Sequence, residues 1–135
     1  TTDEALLCLN AGAAGIVVSN HGGRVLADEP GTAEVLPAIA DAIHGRCMIL
    51  VDGCVKRGTD VEKYIALGAD ACLAGRHFVR GAHGALADGV ELFANTIRNE
   101  LAVAMTLTGA AKVKDINRKM IRMTTPPPLA FGVPA

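Results

Sequence analysis

His21 and Arg24 stand three residues apart in the segment Ser19-Asn20-His21-Gly22-Gly23-Arg24. An imidazole titrates near neutral pH and can move a proton. A guanidinium offers a planar fork to a carboxylate or a phosphate. A base beside an anion clamp suits proton abstraction from a small anionic substrate. Gly22 and Gly23 allow the backbone to turn sharply between the two side chains. The competing reading is a plain polar loop, and the flanking elements must decide between the two.

Those elements alternate. Thr1 to Asn10 reads as a helix, opened by a Thr1-x-x-Glu4 capping box and closed by Gly12. Gly15 to Ser19 is a β-branched run that reads as a buried strand, so His21 and Arg24 lie just past a strand's C-terminal end. Ala33 to Ile43 is amphipathic, with Val35, Leu36, Ile39, Ala42 and Ile43 on one face and Pro37 near the first turn. Met48 to Asp52 is the next strand. Thr59-x-x-Glu62 reads as a second capping box, on a helix that ends at Gly68. Ala71 to Ala74 is a third strand, and a long helix covers Leu86 to Leu107. His44 is expected to cap a helix end, and His77 and His83 to flank a short loop-helix with surface or lid roles. From Ile116 the chain turns basic through Arg118, Lys119 and Arg122, then reaches Pro126-Pro127-Pro128. That divides it into residues 1–116 and a basic, Pro-rich tail, 117–135, whose charges read as a charged helix face rather than a binding patch.

Each helix feeds a strand, which is the unit of an α/β fold. Every strand ends in a polar or glycine-rich turn: Ser19-Asn20-His21, Asp52-Gly53-Cys54 and Gly75-Arg76-His77. Three ligand-type loops therefore share one edge of one sheet. A doubly wound sheet needs a switch point, which nothing marks. Consecutive right-handed units fit a (β/α)8 barrel, although a whole barrel takes ~250 residues and this chain has room for about half.

Bulk composition narrows the function classes. A net charge of -1 over 135 residues gives no support for a nucleic-acid partner. No apolar run approaches the ~20 residues of a membrane span, and the N-terminus lacks a signal-peptide layout. The four cysteines, at 8, 47, 54 and 72, form no C-x-x-C pair and no metal-like spacing with histidine. Cys8, Cys47 and Cys72 read as small buried hydrophobes in a reducing cytoplasm. No metal is expected.

The segment Ile16 to Arg24 resembles the signature of the FMN-dependent α-hydroxy-acid oxidase and dehydrogenase family, which includes glycolate oxidase and lactate oxidase. Val51-Asp52-Gly53-Cys54-Val55-Lys56-Arg57-Gly58-Thr59-Asp60 resembles that family's DGGVRRGTD segment. Ala66-Leu67-Gly68-Ala69-Asp70 with Gly75-Arg76 resembles its ALGAD…GRP segment, and Glu100-Leu101 with Met105 to Gly109 its last long helix. The resemblance implies the C-terminal part of a (β/α)8 barrel, strands six to eight with their helices. It implies FMN at the barrel's C-terminal face and oxidation of a small 2-hydroxy acid to the 2-oxo acid. His21 is then the active-site base and Arg24 the partner of the substrate carboxylate. Ser19 contacts the flavin, and Asp52, Gly53, Cys54, Lys56, Gly75 and Arg76 line the ribityl and phosphate site. Such a phosphate cradle after the last two strands is usual for barrels.

The chain departs from the family pattern in four places. Cys54 replaces the second glycine of DGG, Lys56 replaces an arginine, Ala27 stands where aspartate is usual, and His77 replaces the proline after Gly-Arg. The family also draws on a lysine, an aspartate, tyrosines and a second arginine from segments that would precede Thr1. The expected partner is therefore either a second copy or the N-terminal half of the barrel, since three strands cannot close one. Two other readings stay open: a non-catalytic, self-associating remnant, and another FMN-binding barrel such as type 2 isopentenyl-diphosphate isomerase.

Overall fold

The computed structural model describes residues 1–43 and 45–124. His44 and the Pro126-Pro127-Pro128 run fall outside the described residues. Three strand–helix units follow one another: α1 (Thr2–Asn10), β1 (Gly15–Val18), α2 (Thr32–Ile43), β2 (Met48–Val51), α3 (Gly58–Leu67), β3 (Ala71–Cys72) and α4 (Arg76–Thr108). The strands are parallel in the order β1-β2-β3. Val18 pairs with Val51, and Val51 with Cys72, so all three strands end level. The turns that follow them consequently emerge from one edge.

Side-chain alternation along the strands separates two faces. Val18, Ile49 and Val51 are buried with Leu36, Ile39 and Ile43 of α2 and Tyr64 and Leu67 of α3, and Ile16 and Cys72 pack against them. Leu36 and Ile43 are fully enclosed, each worth about 1.5–3 kcal/mol of apolar burial. The opposite face is uncovered: Val17 is 51% exposed, Met48 55% and Leu73 43%. Each outer strand also has one side unpaired among the described residues. We expect the isolated chain to bury this face by self-association. Sedimentation should show assemblies that grow with concentration, and a heat-stable monomer would overturn that expectation.

Several local expectations need correction. The Thr1–Glu4 capping box is present on α1. The Thr59–Glu62 box is not: the N-cap of α3 is Arg57, two residues before Thr59, and Asp60 caps the helix by accepting from the Lys56 and Arg57 amides at 3.0 and 3.1 Å. Glu62 is buried instead and accepts from the Thr108 hydroxyl at 2.5 Å. Tertiary contact with α4 outcompetes the local cap. Pro37 lies in the second turn of α2, not the first. Strand β3 stops at Cys72, two residues short of Ala74. Helix α4 begins at Arg76, and non-helical angles at Ala85 and Leu86 break it in two. Cys8 is exposed rather than buried. Arg118 remains exposed but pairs with Asp41 at 2.8 Å and donates to the Pro37 and Leu67 carbonyls, tying the C-terminal segment to α2 and α3.

Among the described residues, no helix is long and apolar enough to cross a membrane, and no cluster of His, Cys, Asp and Glu could hold a metal ion.

Candidate active site

The turn after β1 is held by its own polar side chains. The Ser19 hydroxyl accepts from the His21 amide at 3.0 Å, and the Asn20 side chain accepts from the Gly22 amide at 3.1 Å. His21, Gly22 and Gly23 take positive φ values of 52°, 69° and 69°. The histidine therefore accepts a conformation that costs an L-residue roughly 1–2 kcal/mol. This tight left-handed turn leaves the His21 and Arg24 side chains exposed.

The turn after β2 is built differently. Gly53 and Cys54 have φ of 109° and 56°, so the chain reverses through two left-handed residues. A Cβ on Gly53 would lie 2.5 Å from the Thr32 hydroxyl, which makes glycine necessary there. The Asp52 amide donates to the Val18 carbonyl at 3.2 Å, joining this turn to the end of β1. One Asp52 carboxylate oxygen, Oδ1, is buried without a hydrogen-bond partner among the described residues. A buried acceptor left in that state is costly, and a hydroxyl donor supplied by a ligand would relieve it.

Helix α4 begins directly after β3, and its first residue reaches back across the sheet edge. The Arg76 guanidinium lies 3.3 Å from where a Cβ of Gly22 would stand. The first and last turns are therefore in contact. Together the three turns surround one cavity of about 500 Å³. His21 and Arg24 line it from the first turn; Asp52, Gly53, Cys54 and Lys56 from the second; Gly75 and Arg76 from the third. Ser19 is the exception among the residues singled out from sequence: it faces a neighbouring groove beside α1 and α2. His77, expected in a surface or lid role, and Arg80, one helical turn after Arg76 and not singled out from sequence, also line the cavity. The i, i+4 spacing of Arg80 with Arg76 carries that signal once α4 is known to start at Arg76. Arg24, Lys56, Arg76 and Arg80 face the single carboxylate of Asp52, so the cavity is strongly anion-attracting.

Two groups behind the cavity stay neutral. Burial pushes the Cys72 thiol up to about 11, with the charge of Asp60 adding to it. Burial also raises the Tyr64 phenol above its ordinary value, against the lowering effect of its hydrogen bond with Thr32. Tyr64 is thus a hydroxyl donor at physiological pH.

Comparison with known proteins identifies the cavity's lineage. The FMN-dependent dehydrogenase family model matches residues 1–123. The chain belongs to this family. A peroxisomal (S)-2-hydroxyacid oxidase of Arabidopsis thaliana is 43% identical over 90% of the chain and 34% of its own length. An L-lactate dehydrogenase of Yersinia pestis is 48% identical over 90% of the chain and 32% of its own length. A solved mandelate oxidase variant carrying a monooxide FMN adduct superposes with a TM-score of 0.85 at 41% identity, over 87% of this chain and 38% of that one. The chain spans about a third of the length of the relatives it matches. Its three parallel strands and their helices correspond to part of the family's α/β structure, and the family's cofactor is FMN.

Proposed function

We propose that this chain is the C-terminal portion of an FMN-dependent 2-hydroxy-acid oxidoreductase, contributing strands six to eight of its barrel from residues 1–116, with residues 117–135 as a tail. One observation carries the reading: a base and an anion clamp on the first turn share a single cavity with a cationic, glycine-lined cradle on the next two.

The residues suit the cofactor. Lys56 and Arg76 offer positive charge to its phosphate, and the unpartnered Asp52 Oδ1 offers an acceptor to a ribityl hydroxyl. Cys54 occupies a left-handed position where a side chain is strained, yet the thiol is exposed and leaves the cradle open. Held by these residues, FMN would supply the two-electron oxidant that turns a 2-hydroxy acid into a 2-oxo acid. Arg24 grips the substrate carboxylate through two parallel N–H donors and so fixes the hydroxyl-bearing carbon near His21. His21 takes the substrate proton on a ring nitrogen.

A chimera tests this. This chain replaces the matching third of the Yersinia pestis L-lactate dehydrogenase, and lactate, glycolate and mandelate are offered in turn. We expect a flavin-loaded protein that oxidises at least one of them. A folded, flavin-loaded chimera with no such activity would sink the reading. It would favour the second one, a non-catalytic remnant that persists by self-association, for which the uncovered sheet face speaks. The isolated chain should bind FMN no tighter than the micromolar range, because only one side of the cofactor meets protein. A flavin titration that gives sub-micromolar affinity would contradict that part.

A further inference from the structure

Tyr64 lies buried on α3 and the sequence motifs give it no task, yet its hydroxyl donates to the Gly53 carbonyl at 2.7 Å. The Thr32 hydroxyl, at the start of α2, donates to the Asp52 carbonyl at 2.6 Å. The two hydroxyl oxygens are 2.9 Å apart, so two hydrogens serve three short contacts. Residues from two different helices thus hold consecutive carbonyls of the turn that borders the cavity.

A peptide unit is planar, and in the trans form its C=O and the following N–H point in opposite directions. The peptide bonds of the described residues are trans. Anchoring the Asp52 carbonyl on Thr32 therefore turns the Gly53 N–H away from Thr32. Anchoring the Gly53 carbonyl on Tyr64 turns the Cys54 N–H away from Tyr64. Neither amide has a hydrogen-bond acceptor among the described residues. Both residues line the cavity. Successive free amides in a turn can converge on an anion as a concave nest.

We propose that Tyr64 and Thr32 are positioning residues for the anion cradle: by holding the Asp52 and Gly53 carbonyls inward, they aim the Gly53 and Cys54 amides at a ligand phosphate. The proposal rests on the cofactor reading above for the identity of the ligand, but not for the nest itself. The device needs both helices docked, since Thr32 and Tyr64 are 32 residues apart. It needs no charge, because a phenol and an alcohol do the holding.

The test uses the full 135-residue chain, wild-type and with Tyr64→Phe, Thr32→Val or Thr32→Ser. Amide hydrogen exchange is read at residues 53–56 with and without inorganic phosphate. Calorimetric titrations with inorganic phosphate, FMN and riboflavin run beside it. Phosphate should slow exchange at Gly53 and Cys54 in the wild-type chain. Tyr64→Phe and Thr32→Val should each weaken phosphate binding about tenfold, the usual scale for one lost hydrogen bond near a charge. Thr32→Ser should restore it, and riboflavin, which lacks the phosphate, should bind all four proteins alike. The proposal falls if phosphate leaves the 53–54 exchange unchanged in the wild-type chain, or if Tyr64→Phe and Thr32→Val bind phosphate normally. It also falls if those variants speed exchange throughout α3, because the role is then merely structural. If phosphate protects the nest as expected while FMN binds the wild-type chain no tighter than riboflavin, the cofactor reading fails and the positioning role stands.

Discussion

His21→Asn in the lactate-oxidising chimera should keep its flavin and lose turnover by about a hundredfold to ten-thousandfold, the range that a positioned general base contributes. Asparagine keeps a polar side chain at a left-handed position, where it is among the best tolerated residues, so the turn at φ 52° survives the change. Flavin content should hold because the cradle belongs to the other two turns. Arg24→Lys should raise KM and lower kcat together, since lysine retains the charge and loses the two-pronged grip. Absorbance of the bound flavin and steady-state rates measure both outcomes. Near-normal turnover in His21→Asn would remove the base assignment, and an unchanged KM in Arg24→Lys would remove the carboxylate assignment.

Gly58→Ala should destabilise the fold by about 3 kcal/mol, at the high end for overpacking. A Cβ on Gly58 would overlap the backbone nitrogen of Leu101 and lie 2.6 Å from the Ile97 carbonyl oxygen. Backbone cannot rotate aside as a flexible side chain can, so α3 and α4 must separate. Separation also breaks the hydrogen bond from the Gly58 amide to the Glu100 carboxylate, 2.9 Å long, and the one from Thr108 to the buried Glu62. Because α3 carries Tyr64, the cradle should loosen at the same time. Chemical denaturation of Gly58→Ala against wild type measures the loss. A change below about 0.5 kcal/mol, the range of an inert surface substitution, would show that the contact yields.

The features legible in the sequence are those encoded by near neighbours. Thr1 and Glu4 cap α1 across three residues. The run Ile16-Val17-Val18 forms its strand, with Val18 buried, Ile16 half-buried and Val17 exposed between them. Ser19, Asn20, Gly22 and Gly23 wind the histidine turn through contacts two or three residues long. The repetition of helix, strand and glycine turn puts the candidate site residues on one edge, because consecutive parallel units share one hand. The family likeness lies in the same short stretches, which is why the sequence carries it.

What the tertiary structure alone decides depends on residues far apart in the chain. Thr59 and Glu62 have the spacing of a capping box, but Glu62 is drawn to Thr108 on α4, 46 residues on, and Asp60 takes the cap. Nothing local to Gly58 signals that α4 crosses it. Arg118 reads as part of a charged helix face until it reaches Asp41, 77 residues back. Tyr64 reads as a helix residue until its hydroxyl is found beneath the Gly53 carbonyl. The physical reason is common to all four. A cap, a turn or a strand periodicity is a free-energy preference of a few consecutive residues. The partner of a buried hydroxyl, carboxylate or bare Cα is chosen only when helices dock on the sheet and desolvation makes an unpaired polar group, or an empty contact, too costly to leave.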